Sequence, residues 1–156
     1  MTEWLDETEQ AAWRGILRMH SNLMTAMDLT LRADAGMSMS DYEVLAMLSE
    51  APDAQLRSPD LCFELQWPAE RLDEQVRLLE ERGLVEREGG EDGGHPCISL
   101  TEAGRDAIDA AAPTHVARVR ELFFDVLTPE QVKVLGEAAG AVLENVARLS
   151  EEPGDA

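Results

Sequence analysis

WPAERLDEQVRLLEERGLVEREGGEDGGHPCISLT, running from Trp67 to Thr101, divides into a helix, a strand, a glycine-rich tip and a second strand. Leu72, Val76 and Leu79 recur at three- and four-residue steps, the spacing of one buried helical face. Pro68 suits the first turn of that helix and Gly83 its left-handed exit. Leu84-Val85 and Cys97-Ile98-Ser99-Leu100 are too short for helices. They flank Gly89-Gly90-Glu91-Asp92-Gly93-Gly94, the pattern of a two-stranded hairpin. Between Trp67 and Gly94 stand nine acids (Glu70, Asp73, Glu74, Glu80, Glu81, Glu86, Glu88, Glu91, Asp92) and four arginines (Arg71, Arg77, Arg82, Arg87).

Helical signals surround this stretch. From Glu7 to Leu31 an apolar stripe holds Trp13, Ile16, Leu17, His20, Leu23, Met24, Met27 and Leu31, and Gly36 ends it. Ser40 and Glu43 have the spacing of a capping box opening a second helix, which buries Val44, Leu45 and Leu48 and stops before Pro52. Ser58-Pro59 starts a short third helix carrying Leu61, Cys62 and Leu65. Beyond the hairpin, Thr101 caps a fifth helix with Ala107, Ile108, Ala111, Val116, Val119 and Leu122 inward and Pro113 bending it. Thr128 and Gln131 cap a sixth, whose stripe is Val132, Leu135, Ala139, Val142, Val146 and Leu149.

The fold class this order predicts is mainly α with a small β-hairpin wing, a winged helix-turn-helix flanked by N- and C-terminal dimerisation helices. Residues 1–156 form one domain, with a winged-helix lobe over 37–101 and dimerisation helices over 7–32 and 102–150. A small central lobe cannot cover apolar stripes of that length, and a two-fold partner is the simplest surface that can. A homodimer is therefore expected.

With 156 residues and 44% hydrophobic composition the chain can bury a real core. Its 13 basic against 32 acidic residues give a formal charge of −19, which repels nucleic acid and acidic membranes unless a local basic patch overrides the field. No secretory signal and no apolar run of membrane-spanning length is visible, so a cytoplasmic protein without membrane contact is expected. Cys62 and Cys97 fit neither a disulfide framework nor a zinc spacing. His20, His95 and His115 are far apart in sequence, and no serine or cysteine has an evident base. No nucleotide-binding glycine pattern appears either. An enzyme, a cofactor and a metal site are therefore not expected. Trp13, His20, Met24 and Met47, from the first two helices, are candidates to line a small-molecule pocket.

The order of elements resembles the MarR family of transcriptional regulators over nearly the whole chain, from Trp13 to Leu149. MSMSDYEVLAMLSEAPD resembles the family's second-helix segment, and LEERGLVERE the end of its recognition helix and first wing strand. ISLTEAGRDAIDAAAP resembles the second wing strand entering the fifth helix, and LFFDVLTPEQVKVLGEAAGAVLENV the closing helix. The resemblance implies a homodimer on palindromic duplex DNA, with a small phenolic or other effector held between the dimer and DNA-binding lobes.

The departures fall where DNA contact is expected. Family recognition helices usually begin with serine, threonine, arginine, histidine and glutamine, and here Glu70, Asp73 and Glu74 stand among them. The family's wing arginine is absent from Gly90-Glu91-Asp92-Gly93-Gly94. Arg71, Gln75, Arg77 and His95 remain as DNA-contact candidates, whereas Glu70, Asp73, Glu74, Glu91 and Asp92 make an acidic face. Phosphates repel carboxylates, and burying an unpaired one costs more than a base contact returns. DNA binding is expected to be weak or altered. The alternative is a regulator that binds no DNA and uses its acidic face on a basic protein or as a DNA mimic.

Overall fold

The computed structural model describes residues 4–90 and 93–151. Its chain divides into two compact units, one up to Arg118 and one from Val119. The elements are α1 (Glu7–Ala35), α2 (Met39–Glu50), β1 (Gln55–Arg57), α3 (Ser58–Leu65), α4 (Ala69–Glu81), β2 (Val85–Glu88), β3 (Cys97–Leu100), α5 (Glu102–Leu122) and α6 (Pro129–Glu151). This is the winged-helix architecture the sequence implies, helical with a small antiparallel sheet.

The core of the first unit is aliphatic. Val44, Leu45 and Leu48 of α2, Leu61 of α3, Leu72, Val76 and Leu79 of α4, and Val85 and Ile98 of the wing are all buried. Each such side chain contributes roughly 2 kcal/mol relative to exposure. Because α4 places three of them on one face, its charged residues turn outward as a group.

Three local details differ from expectation. The sheet has three strands in the order β1-β3-β2 rather than two, with Leu56 opposite Ile98 and Val85 opposite Leu100. β1 holds only Gln55, Leu56 and Arg57, too few for a visible alternation. It follows Asp53 and Ala54, both in left-handed backbone. The capping box of α2 is Ser38 with Asp41, not Ser40 with Glu43. Ser38 Oγ accepts from Asp41 N at 3.0 Å, and the Asp41 carboxylate accepts from Ser38 N at 2.8 Å. The two boxes overlap in the sequence, and the earlier one prevails because Asp41 has further partners, described below. Finally, α1 runs one turn past Leu31 to Ala35, where Gly36 at φ 65° supplies the exit.

Other caps follow the sequence. Gly83 ends α4 with φ 72°. Thr128 and Gln131 satisfy each other's backbone donors at 2.9 and 3.2 Å. Thr101 accepts from Gly104 N at 3.0 Å and donates to the Gly83 carbonyl at 2.7 Å, joining the end of α4 to the start of α5. Gly104 is confined there: a Cβ would stand 2.0 Å from the Leu84 carbonyl oxygen. α5 continues unbroken through Pro113.

The terminal stripes are largely uncovered within one chain. On α1, Met27 and Leu31 are buried, but Trp13, Ile16 and Leu17 are more than half exposed. In the second unit, Val142, Leu143, Val146 and Leu149 of α6 are exposed to a similar degree.

His115 of α5 packs its ring against Tyr42 of α2, 4.1 Å between centroids, and its Nδ1 is buried without a hydrogen-bond partner. Thr30 and Asp34 of α1, Thr114 and Arg118 line the same crevice, with Asp34 and Arg118 paired at 3.5 Å. Burial lowers the His115 pKa from its ordinary 6.5. The folded state thus binds the proton less readily than the unfolded chain, so this contribution to stability is complete above pH 6.5. It is lost as pH falls through that value toward the lower folded pKa. His115→Phe keeps the ring contact and removes the proton site. Urea unfolding at pH 7.5 and 5.5 is expected to show a smaller acid loss for the variant than for the parent. Equal losses would remove His115 from the account.

Candidate nucleic-acid interface and effector cavity

With Leu72, Val76 and Leu79 inward, α4 presents Glu70, Arg71, Asp73, Glu74 and Arg77 to solvent. The four arginines of this region are all engaged inside the protein. Arg77 pairs with Glu81 one turn on. Arg82 reaches the buried Asp41 at 2.8 Å and the Gly36 carbonyl at 3.5 Å. Arg87 of β2 pairs with Asp73 of α4, and its Nε lies 3.3 Å from Glu80 but outside hydrogen-bond geometry. The Arg71 guanidinium lies over the Trp67 ring at 3.8 Å from its centroid and is 3.4 Å from Ser40 Oγ.

Asp41 is the hub of this half of the molecule. At 6% exposure it is the one buried charged side chain among the described residues. It accepts from Ser38 N, from Gln75 Nε2 at 2.6 Å and from Arg82. The first turn of α2 thereby grips α4 at its middle and at its end. The Gln75 amide is committed to this contact rather than presented to solvent.

Two cavities flank α4. One, of about 410 Å³, lies between α3, α4 and the wing on a mostly apolar floor that includes Cys62, Leu72, Val76 and Ile98, with Asp73, Arg87 and His95 among its walls. Burial, with the nearby Glu70 charge, raises the Cys62 thiol pKa, so it is a poor nucleophile at neutral pH. The other cavity, of about 490 Å³, lies between α1, α2 and the Trp67–Arg71 turn. Both have the volume of a small-ligand site.

No protein-family model matches the chain, and no curated protein matches it. Solved structures do. AbsC, a MarR family transcriptional regulator from Streptomyces coelicolor, is 35% identical, covers 94% of this chain and 99% of its own, and superposes with a TM-score of 0.86. A second MarR family transcriptional regulator from Streptomyces coelicolor, solved in complex with DNA, is also 35% identical, with coverage of 100% and 95% and a TM-score of 0.88. The chain belongs to the MarR family of transcriptional regulators. CouR from Rhodococcus jostii RHA1, solved bound to p-coumaroyl-CoA, shares the fold at 21% identity and a TM-score of 0.69, with coverage of 81% and 87%.

The residues named from sequence fall in different places on this MarR-family fold. His20 and Met24 line the larger cavity. Trp13 stands exposed on α1, and Met47 is half-buried against the aliphatic core; neither lines a cavity described here. Sequence reasoning missed Trp67, Arg71, Asp28 and Glu43 as cavity residues. The available signal was an aromatic four residues before an arginine at a helix start, a spacing that stacks them. His95 is exposed beside the smaller cavity. Glu91 and Asp92 lie outside the described residues. Among the described residues no cluster of three histidine, cysteine or carboxylate side chains is placed to hold a metal ion, and no helix is long and apolar enough to cross a membrane.

Proposed function

We propose that the protein is a homodimeric transcriptional regulator whose affinity for duplex DNA is low in the effector-free state. The observation that carries this reading is the internal engagement of Arg71, Arg77, Arg82 and Arg87, while Glu70, Asp73 and Glu74 stay exposed at the start of α4. Phosphate binding would have to break an ion pair to recruit Arg77, Arg82 or Arg87. The related regulator solved with DNA supports duplex DNA as the ligand. In this reading α4, as the second helix of a helix-turn-helix, enters the major groove, with Arg71 and Arg77 as the charges nearest the backbone. The exposed apolar residues of α1 and α6 support the dimer, and the cavity at His20 and Met24 supports a small-molecule effector.

Fluorescence anisotropy with a random-sequence duplex tests the reading. Binding is expected at about 20 mM salt and absent at about 150 mM, with a salt slope of roughly one to three phosphates rather than the six to ten of a basic regulator. Tight binding at the higher salt would refute it. No binding at the lower salt would leave the second reading, in which the exposed Glu70 and Glu74 meet a basic protein. That reading is favoured by neither acid forming an ion pair with a described residue, although Glu70 also stabilises the helix dipole.

A further inference from the structure

Among the described residues, Arg71 is the one arginine of this region that forms no ion pair with a carboxylate. Arg77, Arg82 and Arg87 each form an ion pair, whereas Arg71 lies on the Trp67 face with a long contact to Ser40 and a Coulombic pull from Glu43. Trp67 and Arg71 are also part of the wall of the 490 Å³ cavity. Glu43 of α2 lines the same cavity, is half-buried, and makes no hydrogen bond or ion pair with a described residue. Burial pushes its pKa up, and the nearby Arg71 charge pulls the other way. Asp28 adds a second carboxylate, already shared with Arg32 and Met39 N. His20 is exposed at the edge.

An indole face beside an unpartnered carboxylate is complementary to a flat cation. The ring quadrupole attracts positive charge, and the carboxylate completes the contact with a charge-assisted hydrogen bond. The fold places such a cation on Trp67 itself, the guanidinium of Arg71. A ligand of the same shape with an apolar ring can take that face and reach Glu43, while its ring fills space that Arg71 leaves empty.

We infer that this cavity binds a small planar aromatic cation, such as an aryl amidine, which takes the place of Arg71 on Trp67 and frees the exposed Arg71 from that ring. The inference rests on the effector reading above. Occupancy moves the Arg71 charge off the Trp67 ring and leaves it free to swing toward a phosphate, so the ligand strengthens DNA binding rather than abolishing it. Electrostatics favour the assignment twice, since a chain of net charge −19 attracts cations and repels carboxylate ligands from a distance.

Benzamidine and its anionic counterpart benzoate are the probes. In a Trp4→Phe, Trp13→Phe background Trp67 is the sole tryptophan, and its emission reports the cavity. Benzamidine is expected to change that emission saturably and benzoate not to. Glu43→Gln should weaken benzamidine about tenfold, the usual loss for a hydrogen bond to a charged group. Arg71→Gln should strengthen it, because the competitor for Trp67 is gone. A merely supporting arginine would give the opposite sign. In the anisotropy assay, benzamidine should raise DNA affinity several-fold for the parent and leave Arg71→Gln unchanged. No saturable response, binding of benzoate instead, or weaker benzamidine binding by Arg71→Gln overturns the inference, whatever the DNA result. If no form binds DNA at about 20 mM salt, the DNA-binding reading and the release of Arg71 toward DNA both fall, while the fluorescence titration still decides the ligand.

Discussion

Changing Glu70, Asp73 and Glu74 to serine, arginine and histidine should raise affinity for random duplex DNA on the order of a hundredfold at about 50 mM salt. Three carboxylates leave the exposed start of α4, and the Asp73 change also removes the ion-pair partner of Arg87 on the wing. Each carboxylate near a phosphate costs roughly 1 kcal/mol in a surface dielectric, and three such terms correspond to about two decades in the dissociation constant. The salt slope should steepen by about two or three, because new cations displace counterions. Changing Glu80 and Glu81 alone should do less, since they lie toward the other end of the helix. An unchanged affinity with an intact melting curve would mean that α4 does not face DNA.

Asp41→Ala should cost about 3 kcal/mol and lower the melting temperature by roughly 10 °C, although Asp41 touches neither cavity and lies off the exposed face of α4. Three losses add. The cap of α2 contributes about 1 kcal/mol. The half-buried Gln75 amide loses its acceptor, about 1 kcal/mol. Arg82 loses its carboxylate, a term held to about 1 kcal/mol because its side chain is 42% exposed. Asp41→Asn keeps acceptors for Ser38 N and for one side-chain donor, and should lose about half as much. Thermal melts of the two variants beside Asp73→Ala, whose site is exposed, make the comparison. Equal melting of Asp41→Ala and Asp73→Ala would deny Asp41 its role.

Regular periodicity made the helices legible. Leu72, Val76 and Leu79 announce α4 by spacing alone, and Gly36 and Gly83 mark exits that require left-handed backbone. The box formed by Thr128 and Gln131 is likewise local. What stayed hidden is what depends on distant partners. Local spacing points to a cap at Ser40, whereas the structure uses Ser38. Gln75 and Arg82, 34 and 41 residues from Asp41, decide between them. β1 exists only because β3 lends it a ladder, and its three residues carry no pattern of their own. The acidic excess was visible as a count. That each arginine is spent on an internal contact was not, because Arg87 meets Asp73 across 14 residues of chain. For the cavity between α1, α2 and the Trp67–Arg71 turn, His20 and Met24 were within reach of a helical-face argument. Trp67 offered only its spacing from Arg71, and Glu43 offered nothing, since it reads as an ordinary helix-interior residue until α1 is laid beside it.

The approach of Gly104 to the Leu84 carbonyl has a mechanical consequence. With no room for even a methyl group, and with Thr101 bonded to both Gly83 and Gly104, the joint between the end of α4 and the start of α5 has no slack. A tilt of α4 cannot be absorbed there as a change of spacing. It is passed directly to the first turn of α5, where Gly104 sits against Leu84.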